Sequence, residues 1–102
     1  MRQTDSAEMQ KKGTRMKIWF KIMKGTHLLR DMTVNDETEE TRTHKIFNAL
    51  EQACYEFDLG KPIWLDANVA EFKRHAKTRF NQDSFIEHIE FDYLELHVIE
   101  ED

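Results

Sequence analysis

The chain is poor in the residues that cross-link or interrupt a fold, with one cysteine, one proline and three glycines among 102 residues. The single Cys54 cannot form an internal disulfide, and the sequence lacks the paired Cys or Cys/His spacing of a zinc site. It has no run of about 18 apolar residues and no charged-then-apolar leader, so we expect neither membrane association nor secretion. These absences predict a cytoplasmic protein without a cofactor.

The length also limits the chemistry. Leu, Ile, Val and Phe account for 24 residues, a share above the roughly 20% below which chains tend to stay disordered. A domain of this size buries only about 60 to 65% of its unfolded surface, so a deep catalytic cleft would compete with the core. Cys54 falls on an apolar stripe beside Glu51 and Glu56, whose charges oppose a thiolate. The sequence therefore predicts one small domain that is not an enzyme.

Charge is distributed unevenly along the chain. Residues 1–30 carry eight basic and two acidic side chains, a balance of +6, whereas residues 31–102 carry seven basic and 18 acidic ones, a balance of −11. A basic segment of this kind can meet nucleic acid or an acidic partner, or the two parts of the chain can pair with each other. The strand patterns below favour internal pairing.

The amino-terminal part of the chain divides into an arm and a hairpin. Residues 1–15 are polar without periodicity and predict a flexible basic arm, so a single domain spans residues 16–102. From Met16 to Met23 apolar side chains alternate, a turn follows at Gly25, and alternation resumes from Leu28 to Val34. This pattern predicts a β-hairpin.

Two helices are predicted next. The first begins at Asn35, Asp36 or Thr38, carries an apolar stripe from Ile46 to Phe57, and is ended by Gly60 and Pro62. The second is capped by Asp66 and continues through Phe80, with four basic residues in its second half. Those four residues are Lys73, Arg74, Lys77 and Arg79.

The last segment alternates with a slip in phase, because apolar residues change from odd to even positions at Tyr93 and Leu94. A β-bulge at this point would restore one apolar face and place a row of imidazoles and carboxylates on the other. Neighbours on one strand face lie about 6.6 to 6.8 Å apart, which is too far for a compact metal site. The row is therefore only a weak metal candidate; its members are His88, Glu90, Asp92, Glu95 and His97.

The predicted fold is α+β, with a small antiparallel sheet, formed by the amino-terminal hairpin and the carboxy-terminal strand, and two helices packed on one face. The acidic row of the last strand would be stabilised beside the basic row Lys17, Lys21 and Lys24 of the first strand. We therefore expect these two strands to be neighbours.

Trp19 is the leading candidate for a binding residue. The strand phase places it on the lysine face, away from Phe20, and an exposed tryptophan flanked by lysines is typical of an interface. Covering of this face from within the molecule is the alternative. Trp64, beside Ile63, is predicted to belong to the core. The candidate partner-binding residues are Trp19, Lys17, Lys21 and Tyr93.

Three stretches carry a family resemblance, namely Pro62–Asp66, Lys77–Phe80 and Phe91–Glu95. Through them the chain from Met16 onward is similar to a family of short uncharacterised bacterial proteins. No function is assigned to that family, so the resemblance implies no activity.

The leading functional hypothesis is a protein-interaction module, which binds another protein or forms a homodimer through the sheet near Trp19. Two alternatives remain open. One is a nucleic-acid-associated regulatory factor, although the net charge of −5 makes nucleic acid an unfavourable partner. The other is a small metal-binding protein that uses the weak candidates above. The nucleic-acid candidates are Lys11, Lys12, Arg15, Lys73, Arg74 and Lys77.

Overall fold

The computed structural model describes residues 15–102 and has the predicted α+β architecture, with one four-stranded antiparallel sheet and two helices. The predicted basic arm, including Lys11 and Lys12, lies outside the described residues except for Arg15. The elements in chain order are β1 (Met16–Lys24), β2 (His27–Asp36), α1 (Arg42–Phe57), α2 (Asp66–His75), β3 (Lys77–Phe80), a 3-10 helix (Gln82–Ser84) and β4 (Tyr93–Glu101).

The hairpin of β1 and β2 is confirmed. Lys24 pairs with His27, and the two residues between them include Gly25, whose φ of 60° favours glycine. The Gly25 backbone N–H also donates to Oδ2 of Asp92 at 2.6 Å. The turn is thereby tied to the loop that precedes β4.

The sheet order is β2-β1-β4-β3, so the last strand lies beside the first, as the charge rows predicted. Lys21 Nζ is 3.2 Å from the carboxylate of Glu95, and Lys17 Nζ is 3.8 Å from that of Glu100. Opposite charges on adjacent strands thus contribute to this pairing.

The hydrophobic core lies between one face of the sheet and the helices. Phe20 of β1, Leu94 and Leu96 of β4 and Phe80 of β3 are fully buried there. They pack with the apolar stripe of α1, which includes Cys54, confirming that this thiol is a buried core group. No helix within residues 15–102 is long and apolar enough to cross a bilayer.

The boundaries of α1 differ from those predicted. β2 continues to Asp36, whose carboxylate accepts hydrogen bonds from the Thr38 backbone N–H and hydroxyl, so helix formation is delayed. Thr41 is the N-cap, and its hydroxyl accepts from the His44 N–H at 3.2 Å. At the other end Asp58 adopts the left-handed conformation in place of Gly60, which an aspartate tolerates.

The second helix is shorter than predicted. It begins at Asp66 with Leu65 as the N-cap residue, so Asp66 is not the cap, and it ends at His75. The segment Lys77–Phe80 is the edge strand β3. Its pairing with β4 outweighs the helical spacing of its apolar residues, because in a strand Thr78 and Phe80 are both fully buried.

The last strand begins at Tyr93, and the irregularity lies near its end. Lys17 pairs with Glu100 and Ile18 with Val98, so Ile99 is the extra residue and the predicted bulge at Tyr93 and Leu94 is wrong. Residues 86–92 form a loop instead of strand. The phase slip in the sequence therefore marked where the loop ends and the strand starts.

Trp64 and the Asn68 side chain join the second helix to the rest of the molecule. The half-buried Trp64 ring makes edge contacts with Phe72 and Phe80, so it packs on the core as predicted. The buried Asn68 amide donates to Thr78 Oγ1 and to the Arg79 carbonyl, both at 2.9 Å. Its Oδ1 accepts from the Leu65 N–H at 3.0 Å.

Replacing Asn68 by alanine should destabilise the fold strongly, because the change leaves polar groups of Leu65 and of strand β3 without their partner. We expect the Asn68→Ala variant to lower the free energy of unfolding by about 2 to 4 kcal/mol in urea denaturation. Asn48→Ala, at an exposed position of α1, is the control and should change stability by less than about 0.5 kcal/mol. Equal stability of both variants would show that the amide does not anchor α2.

Candidate functional site

The face of the sheet opposite the helices carries the predicted binding residues. We call it the open face, because no helix within residues 15–102 packs on it. All four predicted partner-binding residues lie there, since β1 and β4 alternate between the core and this face. Each of them is half-buried, so the prediction of an exposed Trp19 is wrong in degree, because neighbouring side chains cover part of the ring. The side chains at its centre are those of Trp19, Lys21, Asp31, Thr33, Arg79, Tyr93, Glu95 and His97.

The centre of the open face is the carboxylate of Glu95, whose side chain is only 3% exposed. Arg79 Nε donates to its Oε1 at 3.0 Å, and Lys21 Nζ is 3.2 Å from its Oε2. Arg79 comes from β3 and Lys21 from β1, so the carboxylate of β4 joins three strands. A charge buried on this face requires such partners, because an unpaired one would be costly.

The two cations determine the titration of Glu95. Burial by itself raises the pKa of this carboxyl, but the hydrogen bonds from Arg79 and Lys21, together with their charges, outweigh burial and hold the pKa below its ordinary value. The pKa of Arg79 is raised in turn, chiefly by its hydrogen bond to Glu95. The Glu95 carboxylate and the Arg79 guanidinium are therefore both charged at neutral pH.

The same cations pack on two aromatic rings. Lys21 Nζ lies 4.3 Å from the centroid of the Trp19 ring, and the Arg79 guanidinium carbon lies 4.5 Å from that of Tyr93. These are cation–π distances. Trp19 Nε1 also donates to Oδ2 of Asp31 on β2 at 2.9 Å. Both rings are held in place by neighbours on the open face.

His97 adds a neutral polar group beside Trp19. It is paired with Trp19 on β1 and with Lys77 on β3. Burial and the charge of Lys77 lower the pKa of this imidazole, and Glu95 opposes them. The ring is therefore uncharged at pH 7 and can both donate and accept a hydrogen bond.

The weak metal candidates are not brought together. His88 and Glu90 lie in the loop before β4, where both are strongly exposed and their side chains are 3.5 Å apart. Asp92 binds the Gly25 N–H, and His97 is on the open face. No group of three or more potential ligands is present within residues 15–102.

The nucleic-acid candidates are also dispersed. Lys73 and Arg74 belong to α2 in the helix layer, whereas Lys77 belongs to β3 and pairs with His97 on the open face. Arg15 forms ion pairs with Glu100 and Asp102. These four residues therefore do not form one basic surface.

An apolar groove of about 310 Å³ lies in the helix layer between α1 and α2, and no sequence pattern indicated it. It is lined by the half-exposed Phe47, by Val69 and by Trp64, whose buried Nε1 has no hydrogen-bond partner among the described residues.

Cys54 lies in the core, where burial raises its pKa to about 11. That thiol is therefore protonated and unsuited to nucleophilic catalysis.

No family model, curated protein or solved structure matches the chain. The similarity to short uncharacterised bacterial proteins therefore stays a prediction, and the site has to be interpreted from its own geometry.

Glu95→Gln should destabilise the fold because it leaves two cations beside a neutral amide. We expect a loss of about 1 to 3 kcal/mol at pH 7, moderated by the solvent exposure of Arg79. The stabilisation from the lowered pKa is complete above the ordinary glutamate pKa of 4.5 and disappears as the pH falls through the lower folded-state value. Urea denaturation at pH 7 and pH 3 measures both effects.

Glu100→Gln is the matched control, because Glu100 is half-exposed and its cations are 3.8 Å away. It should cost less than about 0.5 kcal/mol and keep the acid sensitivity of the wild type. A Glu95→Gln variant as acid-sensitive as the wild type would contradict the role assigned to this carboxylate.

Proposed function

We propose that the chain is a non-enzymatic protein-interaction module of the cytoplasm, which binds a protein partner or a second copy through the open face around Trp19. The observation that carries this proposal is the position of Trp19 on the helix-free side of the sheet, with its ring held by Lys21 and its N–H by Asp31. Tryptophan is strongly enriched among the residues that dominate binding energy at interfaces.

Preorganisation supports the proposal further. The ion pairs around Glu95 hold Lys21 and Arg79 against the rings of Trp19 and Tyr93. A side chain already fixed in the free protein loses less conformational entropy on association. The open face thus offers two aromatic rings and several polar groups in a defined arrangement, which suits a protein partner better than a reacting small molecule.

Trp19→Ala should abolish binding of a partner at the open face, because the change removes the largest apolar group of that face. The measurement is native mass spectrometry of untagged protein purified gently from its own cells, which reports subunit number and any bound protein in one spectrum. Tyr55→Ala is the matched control, since Tyr55 is an aromatic residue of α1 with 87% of its surface exposed.

The expected result is a partner that is bound at the open face of the wild type and of Tyr55→Ala and is absent from Trp19→Ala, with all three proteins folded by circular dichroism. A partner protein that stays bound to Trp19→Ala would refute the assignment of the open face. A monomer whose measured mass includes a bound small molecule or metal ion would refute the proposal that the protein is an interaction module.

Single-stranded nucleic acid is the second candidate ligand of the same face. Aromatic rings on a four-stranded sheet can stack on bases, and here Trp19 and Tyr93 lie with Lys17, Lys77 and Arg79. Such binding should weaken steeply as salt rises, whereas an apolar interface around Trp19 should not. Titration of a labelled oligonucleotide at two salt concentrations separates the candidates.

A further inference from the structure

The outer side of β2 is an open edge of the sheet. β2 has ten residues, and within residues 15–102 its only strand partner is β1. Its outward backbone N–H and C=O groups are therefore available to another strand. Leu28 and Leu29, at the start of the strand, are 48% and 50% exposed.

The two edges of the sheet differ in their protection. The other edge, β3, has four residues, of which Lys77 and Arg79 are cationic. Short strands and lysines are devices that prevent an edge from pairing with another chain. β2 is long and contains neither lysine nor proline. The contrast identifies β2 as the edge that is suited to a partner strand.

We propose that β2 pairs with β2 of a second copy in antiparallel fashion, around a two-fold axis at Thr33, so that two four-stranded sheets become one sheet of eight strands. This inference goes beyond the proposed function, because it joins two copies through the edge strand β2 and leaves Trp19 outside the contact. The register follows from the side chains of β2.

Symmetry restricts the possible registers. A two-fold axis perpendicular to the sheet keeps the helices of both copies on the same side, so each pair must join residues that point to the same face. The numbers of two residues that lie opposite each other must therefore add up to an even number. The two-fold axis then passes midway between the two copies of one residue. The regular part of β2 is Arg30–Asp36, because the register with β1 shifts next to it, leaving Leu29 as the extra residue.

Charge selects one of these registers. An axis at Arg30 or at Asp31 would oppose like charges directly, which is destabilising. An axis at Met32 or Val34 leaves the charged residues opposite uncharged ones or shortens the contact. An axis at Thr33 uses all seven regular residues and places Arg30 opposite Asp36 of the other copy, twice.

The remaining pairs of that register are also compatible. Met32 lies opposite Val34 of the second copy on the core side, and Asp31 lies opposite Asn35 on the open face. Thr33 lies opposite its own copy, and cross-strand threonine pairs are favourable. Every pair is therefore apolar with apolar, polar with polar, or cation with anion.

The register also aligns the two copies of Trp19. Thr33 is paired with Trp19 on β1, so the row across the joined sheets is Trp19, Thr33, Thr33 and Trp19. With strands about 4.8 Å apart, the two tryptophans lie about 14 Å from each other on one continuous open face. Self-pairing would thus convert two small binding faces into one symmetric surface.

Cysteine cross-linking tests the register. Thr33→Cys should form an intermolecular disulfide under mild oxidation, because paired strand residues have Cα separations of about 4.5 to 5.5 Å, within disulfide range. Asn35→Cys is the matched control on the same exposed face. Its two copies would be about 13 Å apart and should not cross-link. The native Cys54 is buried, so the wild type should stay free of disulfide.

A charge exchange tests the same contact by an independent measurement. Arg30→Glu and Asp36→Arg each convert two attractive pairs into two repulsive ones, and each should raise the dimer Kd in sedimentation equilibrium by about tenfold. Within one copy Arg30 also lies over the Phe57 ring and Asp36 accepts from Thr38, so circular dichroism first establishes that each variant is folded. The double variant restores opposite charges and should return to within about threefold of the wild type. A direct contact between residues 30 and 36 of one copy cannot explain such a rescue, because the two positions are about 20 Å apart along the strand.

The outcomes separate this inference from the proposed function. Cross-linking of Thr33→Cys together with rescue in the double variant supports self-pairing. A wild type that is monomeric at about 100 µM, cross-linking of Asn35→Cys in preference to Thr33→Cys, or a double variant as weak as the single ones overturns it. The protein could instead be a monomer that binds a different protein, and the Trp19→Ala variant could fail to bind that protein. This result would overturn self-pairing and support the proposed interaction module.

Discussion

The burial of one carboxylate, that of Glu95, determines the character of the open face. This group lies on the open face, where no helix of residues 15–102 packs, yet its side chain is only 3% exposed because Lys21 and Arg79 cover it. The cations must stay close to the carboxylate, since their departure would leave a buried charge unpaired. The Lys21 ammonium and the Arg79 guanidinium are consequently held against Trp19 and Tyr93, so an electrostatic requirement fixes two aromatic rings.

This arrangement separates the groups that stabilise the fold from most side chains of the open face. The apolar core and the Asn68 hydrogen bonds, all on the helix side of the sheet, hold α1, α2 and β3 in place. The open face contributes one ion-pair cluster to stability and otherwise presents side chains that the core does not need. Substitutions there can therefore change association without unfolding the protein. A two-layer domain with a free sheet face is suited to such a division.

The features that could be predicted from the sequence are those with a local cause. The hairpin follows from alternation around Gly25, and the neighbouring positions of β1 and β4 follow from their opposite charges. The strand β3 was missed because Phe72, Ala76 and Phe80 have helical spacing, and only pairing with β4, a contact distant in sequence, makes the segment a strand. For the same reason, sequence indicated that Trp19 lies on the lysine face but not that Glu95 is buried beneath the cations.

The uneven charge of the chain can now be interpreted more closely. Within the described residues, several cations of the basic amino-terminal part meet acidic groups of the last strand, as Lys17 does with Glu100 and Lys21 with Glu95. Charges neutralised within the fold contribute little to the attraction of a polyanion. The pairing accordingly weakens the case for nucleic acid and strengthens that for a protein surface. On the open face, the rings of Trp19 and Tyr93 would then supply the contact area, while the ion pairs supply its rigidity.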